Sequence, residues 1–379
     1  MNFKTERELL CSFVLPSLGV LMKLSSLQTL SLIFLMSLQG FALGKGPSSQ
    51  NVRVRVLSWW GYIEPQSKVI QAIEKKCRAS LSIDEFYSTS EFLERVSKKS
   101  SDVKSYDLLI YSDTAYQSHE TRHLRASKRK LNEIHRTYHP SITAFHKKNK
   151  YNAATAVFQI SLSGFLVNQK LIQLHGRENL NDVFNLVGQR LFVFMDDHME
   201  IATLLNKWEC SEAGSACKKD SQLVFPSEDK LKKLVGQSKV VISSDLADIT
   251  KHPKFALAYT WSGDALQKQS EQSNLNFILH PSLSHSSMDL LTLVGESQEA
   301  KCVANELISK KFVDSVAQKS KYFSPYGPVQ SNDKAFNKLQ QEFFGQFSTL
   351  GRIHRVTQQE SLEIDKKWQL FKILFGSKI

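Results

Sequence analysis

Four short apolar runs in this 379-residue chain each stop at a cluster of aromatic, hydroxyl or acidic residues, and that recurrence limits the fold more than any other feature. Val54–Leu57 runs into Ser58-Trp59-Trp60-Gly61-Tyr62, and Tyr106–Tyr111 into Ser112-Asp113. Leu191–Met195 runs into Asp196-Asp197-His198-Met199-Glu200, and Phe255–Thr260 into Trp261-Ser262-Gly263-Asp264. Helical patterns lie between the runs. Val69, Ile70 and Ile73 recur at helical spacing, and Ser88-x-x-Glu91 forms a capping box ahead of Phe92, Leu93 and Val96. Strands of this continuous apolar kind, alternating with helices, predict an α/β fold. In open α/β sheets a ligand sits beyond the carboxyl ends of the strands, so the four clusters are expected to line one crevice.

Composition narrows the class. With 41% hydrophobic and 23% charged residues the chain is globular, and its length suffices for two lobes with separate cores. No apolar run of about 20 residues interrupts the body, which excludes a polytopic membrane protein. Residues 1–42 read as a secretory leader: Lys23, an apolar stretch from Leu30 to Leu38, then small residues up to Ala42. Met22 is an alternative start. Cleavage after Ala42 removes a net charge of +1, taking the chain from +12 to +11, and implies a periplasmic, oxidising location. Of the five cysteines, Cys11 leaves with the leader. Cys210 and Cys217 flank a turn-rich segment and are the candidate disulfide; a Cys77–Cys302 pair follows only by elimination.

The clusters supply Trp59, Trp60, Tyr62, Ser112, Asp197, Glu200, Trp261 and Asp264. Aromatic faces combined with carboxylates suit an organic cation: an ammonium over an indole gains about 0.5–2 kcal/mol. Each charge-assisted hydrogen bond to a carboxylate adds roughly 1.5–3 kcal/mol. Asp197 and Glu200 stand three apart at an expected helix start, where both can face one space, although Asp197 is also a natural helix N-cap. No nucleophile–base constellation and no cofactor loop is evident, so a binding protein rather than an enzyme is expected, with no cofactor and no metal.

These motifs together resemble the periplasmic spermidine/putrescine-binding proteins that serve ABC importers. The likeness runs over about residues 52–375. It rests on Val56-Leu57-Ser58-Trp59-Trp60-Gly61-Tyr62-Ile63-Glu64-Pro65, Tyr106–Ser112, Asp196–Glu200, Trp261–Asp264, Ser287-Met288-Asp289 and Lys321–Pro325. The resemblance implies a two-lobed periplasmic-binding-protein fold of type II with a ligand cleft between lobes. Lobe 1 would take 52–157 and 289–335, and lobe 2 would take 158–288 and 336–379. It assigns ligand contacts to Trp59, Tyr62, Ser112 and Trp261, one ammonium to Asp197 and Glu200, other amines to Asp264 and Asp289, and a closing wall to Tyr322. It further implies a monomer that presents a bound polyamine to an ABC permease, or in the alternative to a sensory receptor; a different small solute is a third reading. One segment and three positions depart from the family pattern: 157–163 (Val-Phe-Gln-Ile-Ser-Leu-Ser) replaces a proline, aromatic and glycine stretch. Ser287 replaces an aromatic wall, Thr114 stands where Tyr is common, and Trp60 is larger than usual and is expected to fill space lost elsewhere.

Two other motifs point elsewhere. His119-Glu120-Thr121-Arg122-His123 matches the zinc-protease spacing, but its flanks are charged, and a solvated helix is expected. The basic stretch Arg122–Lys130, with His146–Lys150, raises nucleic-acid binding. Export and the separation of these lysines from the aromatics argue for a solvated face, and no nucleic-acid partner is expected.

Overall fold

The computed structural model describes residues 51–97, 106–116, 130–132, 137–149, 151–212, 223, 225–347, 351–352 and 358–376. The expected leader, the His119–His123 motif, the Arg122–Arg129 stretch and Cys217 lie outside them.

The elements in chain order are β1 (Val52–Trp59), α1 (Lys68–Cys77), β2 (Ala79–Phe86), α2 (Thr89–Val96), β3 (Leu108–Ser112), α3 (Pro140–Asn149) and β4 (Thr155–Asn168). Then come α4 (Leu180–Val187), β5 (Leu191–Phe194), α5 (His198–Glu212), α6 (Glu228–Val235), β6 (Lys239–Ile242), β7 (Phe255–Trp261) and α7 (Ser262–Glu271). The chain continues with β8 (Leu275–Ile278), β9 (His285–Leu293), α8 (Gln298–Leu307), α9 (Lys310–Ser320), α10 (Lys334–Gln346), β10 (Gly351–Arg352) and α11 (Gln358–Phe375). Local chemistry sets the helix starts. The side chains of Ser67, Ser88, Ser297 and Ser309 each accept a hydrogen bond from the first turn that follows. Ser88 takes only half of the expected capping box: Glu91 accepts from the Tyr87 amide instead of returning to Ser88.

The strands form one ten-stranded sheet in the order β2-β1-β3-β9-β4-β7-β5-β6, with β8 paired to β4 and β10 to β9. The pairs β1–β2, β1–β3, β5–β6 and β5–β7 are parallel, as α/β crossovers require. The middle is antiparallel. β9 pairs with β3 on one side and β4 on the other, and β4 pairs with β7. All fourteen residues of β4 and all nine of β9 are buried.

Apolar residues pack both sides of this frame. On the β1–β3 side, Val54, Val56, Leu108 and Ile110 pack with Ile70, Val303 and Val313. On the β5–β7 side, Phe192, Phe194 and Leu257 pack with Leu204, Trp208, Trp368 and Phe371. The terminal helices divide between the sides. α10 stacks Phe343 on Phe323, next to the β1–β3 half, whereas α11 lays Trp368 and Phe371 into the other half and donates the Trp368 indole N–H to Asp196 at 2.9 Å. Cys77 at the end of α1 is bonded to Cys302 in α8, the pair that elimination alone suggested. Cys210 is also disulfide-bonded. Among the described residues no helix is long and apolar enough to cross a membrane.

Candidate functional site

The site is built where β1, β3, β7 and β9 end or cross. Trp59 closes β1, and the chain then turns through Gly61, whose φ of 76° lies in the left-handed region that a side chain resists. That turn buries Tyr62 and leaves Trp60 outside: Trp60 is 62% exposed and stacks on exposed Tyr87 at 6.1 Å between ring centres. The expectation that Trp60 fills lost interior space is therefore corrected. Its backbone hydrogen bond to Phe86 holds it on the rim.

Behind the turn the aromatic rings interlock. Trp59 lies 4.5 Å from Phe86 and meets Trp261 edge-on at 6.3 Å. Tyr62 meets Tyr322 edge-on at 6.0 Å. Tyr322 comes this close because residue 263 is glycine: a Cβ there would stand 2.7 Å from the Tyr322 ring and 2.5 Å from the Ser320 carbonyl oxygen.

The four acidic groups named from the sequence lie in different states. Asp289, midway along buried β9, accepts a short hydrogen bond from the Tyr62 hydroxyl. Burial pushes its carboxyl up to about 7, Tyr62 and the Trp59 indole work against that, and Asp113 reinforces it. Among the described residues the buried Trp59 Nε1–H makes no hydrogen bond of good geometry, although it lies close enough to Asp289 to favour the charged carboxylate. Asp264, in the first turn of α7, is likewise pushed up by burial to about 7, partly offset by the neighbouring Tyr322 hydroxyl and Lys268. Among the described residues no lysine or arginine forms an ion pair with either carboxyl.

Asp197 and Glu200, expected to share one ammonium, are instead held by the protein. Asp197 caps α5, accepting from the backbone N–H groups of Met199 at 2.9 Å and Glu200 at 3.0 Å. Its other oxygen accepts from the Thr89 hydroxyl at 3.2 Å. Glu200 accepts from the Trp261 indole at 3.0 Å, from the Ser163 hydroxyl at 2.5 Å and from the His285 ring. Burial works to raise the Glu200 carboxyl, but His285 and the other donors outweigh it and hold the group below its ordinary value. The His285 Nδ1 lies 3.0 Å from the Tyr259 hydroxyl, which itself donates to the Leu283 carbonyl at 3.1 Å. Burial lowers the affinity of that ring for a second proton.

Ser112 ends β3 directly opposite Asp289 in the strand register. Its hydroxyl is occupied by Thr114, which donates to it at 3.0 Å. Nine of the ten residues named from the sequence thus fall in one contiguous region, with Trp60 at its edge.

The departing segment 157–163 and Ser287 lie side by side in the sheet, a pairing that the sequence did not reveal. Along β4 and β9 the pairs Gln159–Asp289, Ser161–Ser287 and Ser163–His285 face each other in register, and the Ser161 and Ser287 hydroxyls are 2.5 Å apart. The signal was there to read: polar side chains at every second position inside two otherwise apolar runs.

The same architecture occurs in known proteins. The spermidine/putrescine ABC transporter substrate-binding protein of Streptococcus pneumoniae is 16% identical, with 85% of this chain and 99% of that one covered, at a TM-score of 0.61. A spermidine/putrescine ABC transporter protein from Listeria monocytogenes is 14% identical over 85% and 99%, at 0.63. A periplasmic thiamin binding protein is 12% identical over 86% and 96%, at 0.56. No protein-family model matches the chain, and no curated protein does. At these identities the likeness establishes the fold: the two-lobed α/β architecture of type II periplasmic binding proteins, with its cleft between the lobes.

Proposed function

We propose that this chain is an extracytoplasmic solute-binding protein that captures a small organic dication between its lobes and delivers it to an ABC-type membrane permease. One observation carries this reading: Asp264 and Asp289 are buried carboxyls that, among the described residues, form no ion pair with a lysine or arginine, Lys268 acting on Asp264 without bonding it. A buried carboxylate left alone is costly, and a ligand ammonium at each would relieve that cost. The indoles of Trp59 and Trp261 supply a cation-attracting wall between them. The solutes named for the fold's other members, a polyamine and thiamin, are both organic cations. In this reading one lobe is formed by 52–157, 289–335 and α10, and the other by 158–288 and α11.

Ligand binding would favour the closed arrangement of the lobes. Roughly micromolar affinity, about −8.2 kcal/mol, is within reach of two paired ammoniums and stacking. A thermal-shift screen of diamines, polyamines, thiamin and amino acids tests the class. Cationic amines should raise the melting temperature, and Asp289→Asn should weaken their binding by about 1.5–3 kcal/mol without lowering ligand-free stability. Stabilisation by anionic or neutral solutes alone would end this reading.

A further inference from the structure

We propose that Thr89 is a positioning residue for closure of the cleft: its hydroxyl, carried by one half of the sheet, fastens Asp197, carried by the other. This deepens the solute-binding reading above and rests on its two lobes. Thr89 opens α2 behind β2, on the outer flank of the β1–β3 half, whereas Asp197 precedes α5 behind β5, in the β5–β7 half. In the strand order β2 and β5 are six steps apart. At about 4.8 Å per step, a flat sheet would hold the two helix starts roughly 29 Å from each other. They touch instead, the Thr89 hydroxyl donating to Asp197 at 3.2 Å. The halves are therefore folded toward each other at the carboxyl ends of β2 and β5, and this bond joins them there. Trp59 and Trp261 repeat the pattern: they end β1 and β7, four steps apart, yet their ring centres are separated by 6.3 Å.

The bond serves neither helix. Ser88, not Thr89, caps α2 by accepting from the Glu91 amide. Asp197 caps α5 through Oδ1, which takes both backbone donors, and meets Thr89 through Oδ2. Both side chains are buried, 4% and 5% exposed, so the contact excludes water while the halves stay together. If the halves part, water can satisfy the hydroxyl and the carboxylate separately, and the fold of each half loses nothing. What the bond changes is the balance between open and closed arrangements. A solute that binds between the lobes then gains in proportion to the closed fraction already present. Thr89 thus strengthens binding without touching the solute, and Asp197 acts as the other end of that tie.

The test combines small-angle scattering of the free protein with titration calorimetry, using putrescine and spermidine as probes, on the full chain, Thr89→Val and Thr89→Ser. Valine keeps the shape and removes the hydroxyl; serine keeps the hydroxyl. Thr89→Val should enlarge the radius of gyration of the free protein and leave its melting temperature nearly unchanged. It should also weaken amine binding about three- to tenfold, the worth of one hydrogen bond. Thr89→Ser should restore both the radius and the affinity. A bond that only stabilises the fold would lower the melting temperature and leave the radius of gyration as it was, and that result overturns the inference. Failure of both amines to bind overturns the organic-cation reading, while scattering from the free variants still decides the role of Thr89. Thr89→Ala provides a second variant should Thr89→Val misfold.

Discussion

A carboxyl that titrates near neutrality is a sensitive reporter of what it faces. Asp264 and Asp289 both rise from 3.8 to about 7 through burial, so the folded chain holds protons that the unfolded chain has released. Between about pH 4 and 7 the native state therefore binds more protons, and ligand-free stability falls as pH rises through that window and levels off above it. A bound dication reverses the sign locally by favouring the carboxylates and expelling their protons. The amine-induced rise in melting temperature should accordingly be larger at pH 8 than at pH 6, and calorimetry below pH 7 should register proton release to buffer. A pH-independent shift would place the ligand away from these two groups. At this scale the sequence was informative about identity and silent about state. Asp289 and Asp264 could be named, but nothing local distinguished them from Glu200, because the His285 that occupies Glu200 lies 85 residues away. Ser287 read as a lost aromatic wall, since its partner Ser161 is 126 positions distant.

Elements determine which groups are free to act. Asp197 belongs to the start of α5 as much as to the cleft, since it satisfies two of the backbone donors that a helix start leaves open. Asp197→Ala should cost about 1–2 kcal/mol of stability by denaturant unfolding, whereas Asp197→Asn, itself a good cap, should cost much less. Equal losses would mean that charge, rather than capping, is what the position supplies. Gly263 in α7 has a different role, because its missing side chain is what admits Tyr322. Gly263→Ala would force the Tyr322 ring or the Ser320 carbonyl aside, destabilising the fold by about 1–3 kcal/mol and loosening the wall beside Asp264. Reduced amine affinity together with a lower melting temperature is the expected pair of readouts. The parallel strands β1, β3, β5 and β7 were legible as apolar runs, and each ends within a residue or two of its predicted stop. β4 and β9 were not legible as the central pair: their serines, Gln159 and His285 break the apolar signal, and antiparallel pairing over more than a hundred residues leaves no local trace.

For the whole molecule, two halves of a sheet share one antiparallel centre, and one covalent tie, Cys77–Cys302, lies off that centre. The Cys77–Cys302 bond joins α1 to α8 across a sequence separation of 225. A loop that long loses much unfolded-state entropy when closed, so Cys302→Ser should lower stability by about 2–5 kcal/mol under non-reducing conditions. Both cysteines sit beside the β1–β3 half, so amine affinity of the surviving folded fraction should be unchanged. A binding role was expected from the strand-end clusters, whereas two lobes were expected only from the family resemblance, chain length adding no more than room for two cores. How α10 and α11 divide between the halves could not be read, because it depends on Phe323 and Asp196 receiving helices from far along the chain.

That sulfur bridge also makes the molecule tolerant of being cut. A protease that severs any one exposed loop between the two cysteines produces fragments that stay fastened to each other. Such a nicked species would migrate as a single band on a denaturing gel without thiol and separate into two once thiol is added. Damage to the backbone would then pass unnoticed until the surrounding medium turned reducing.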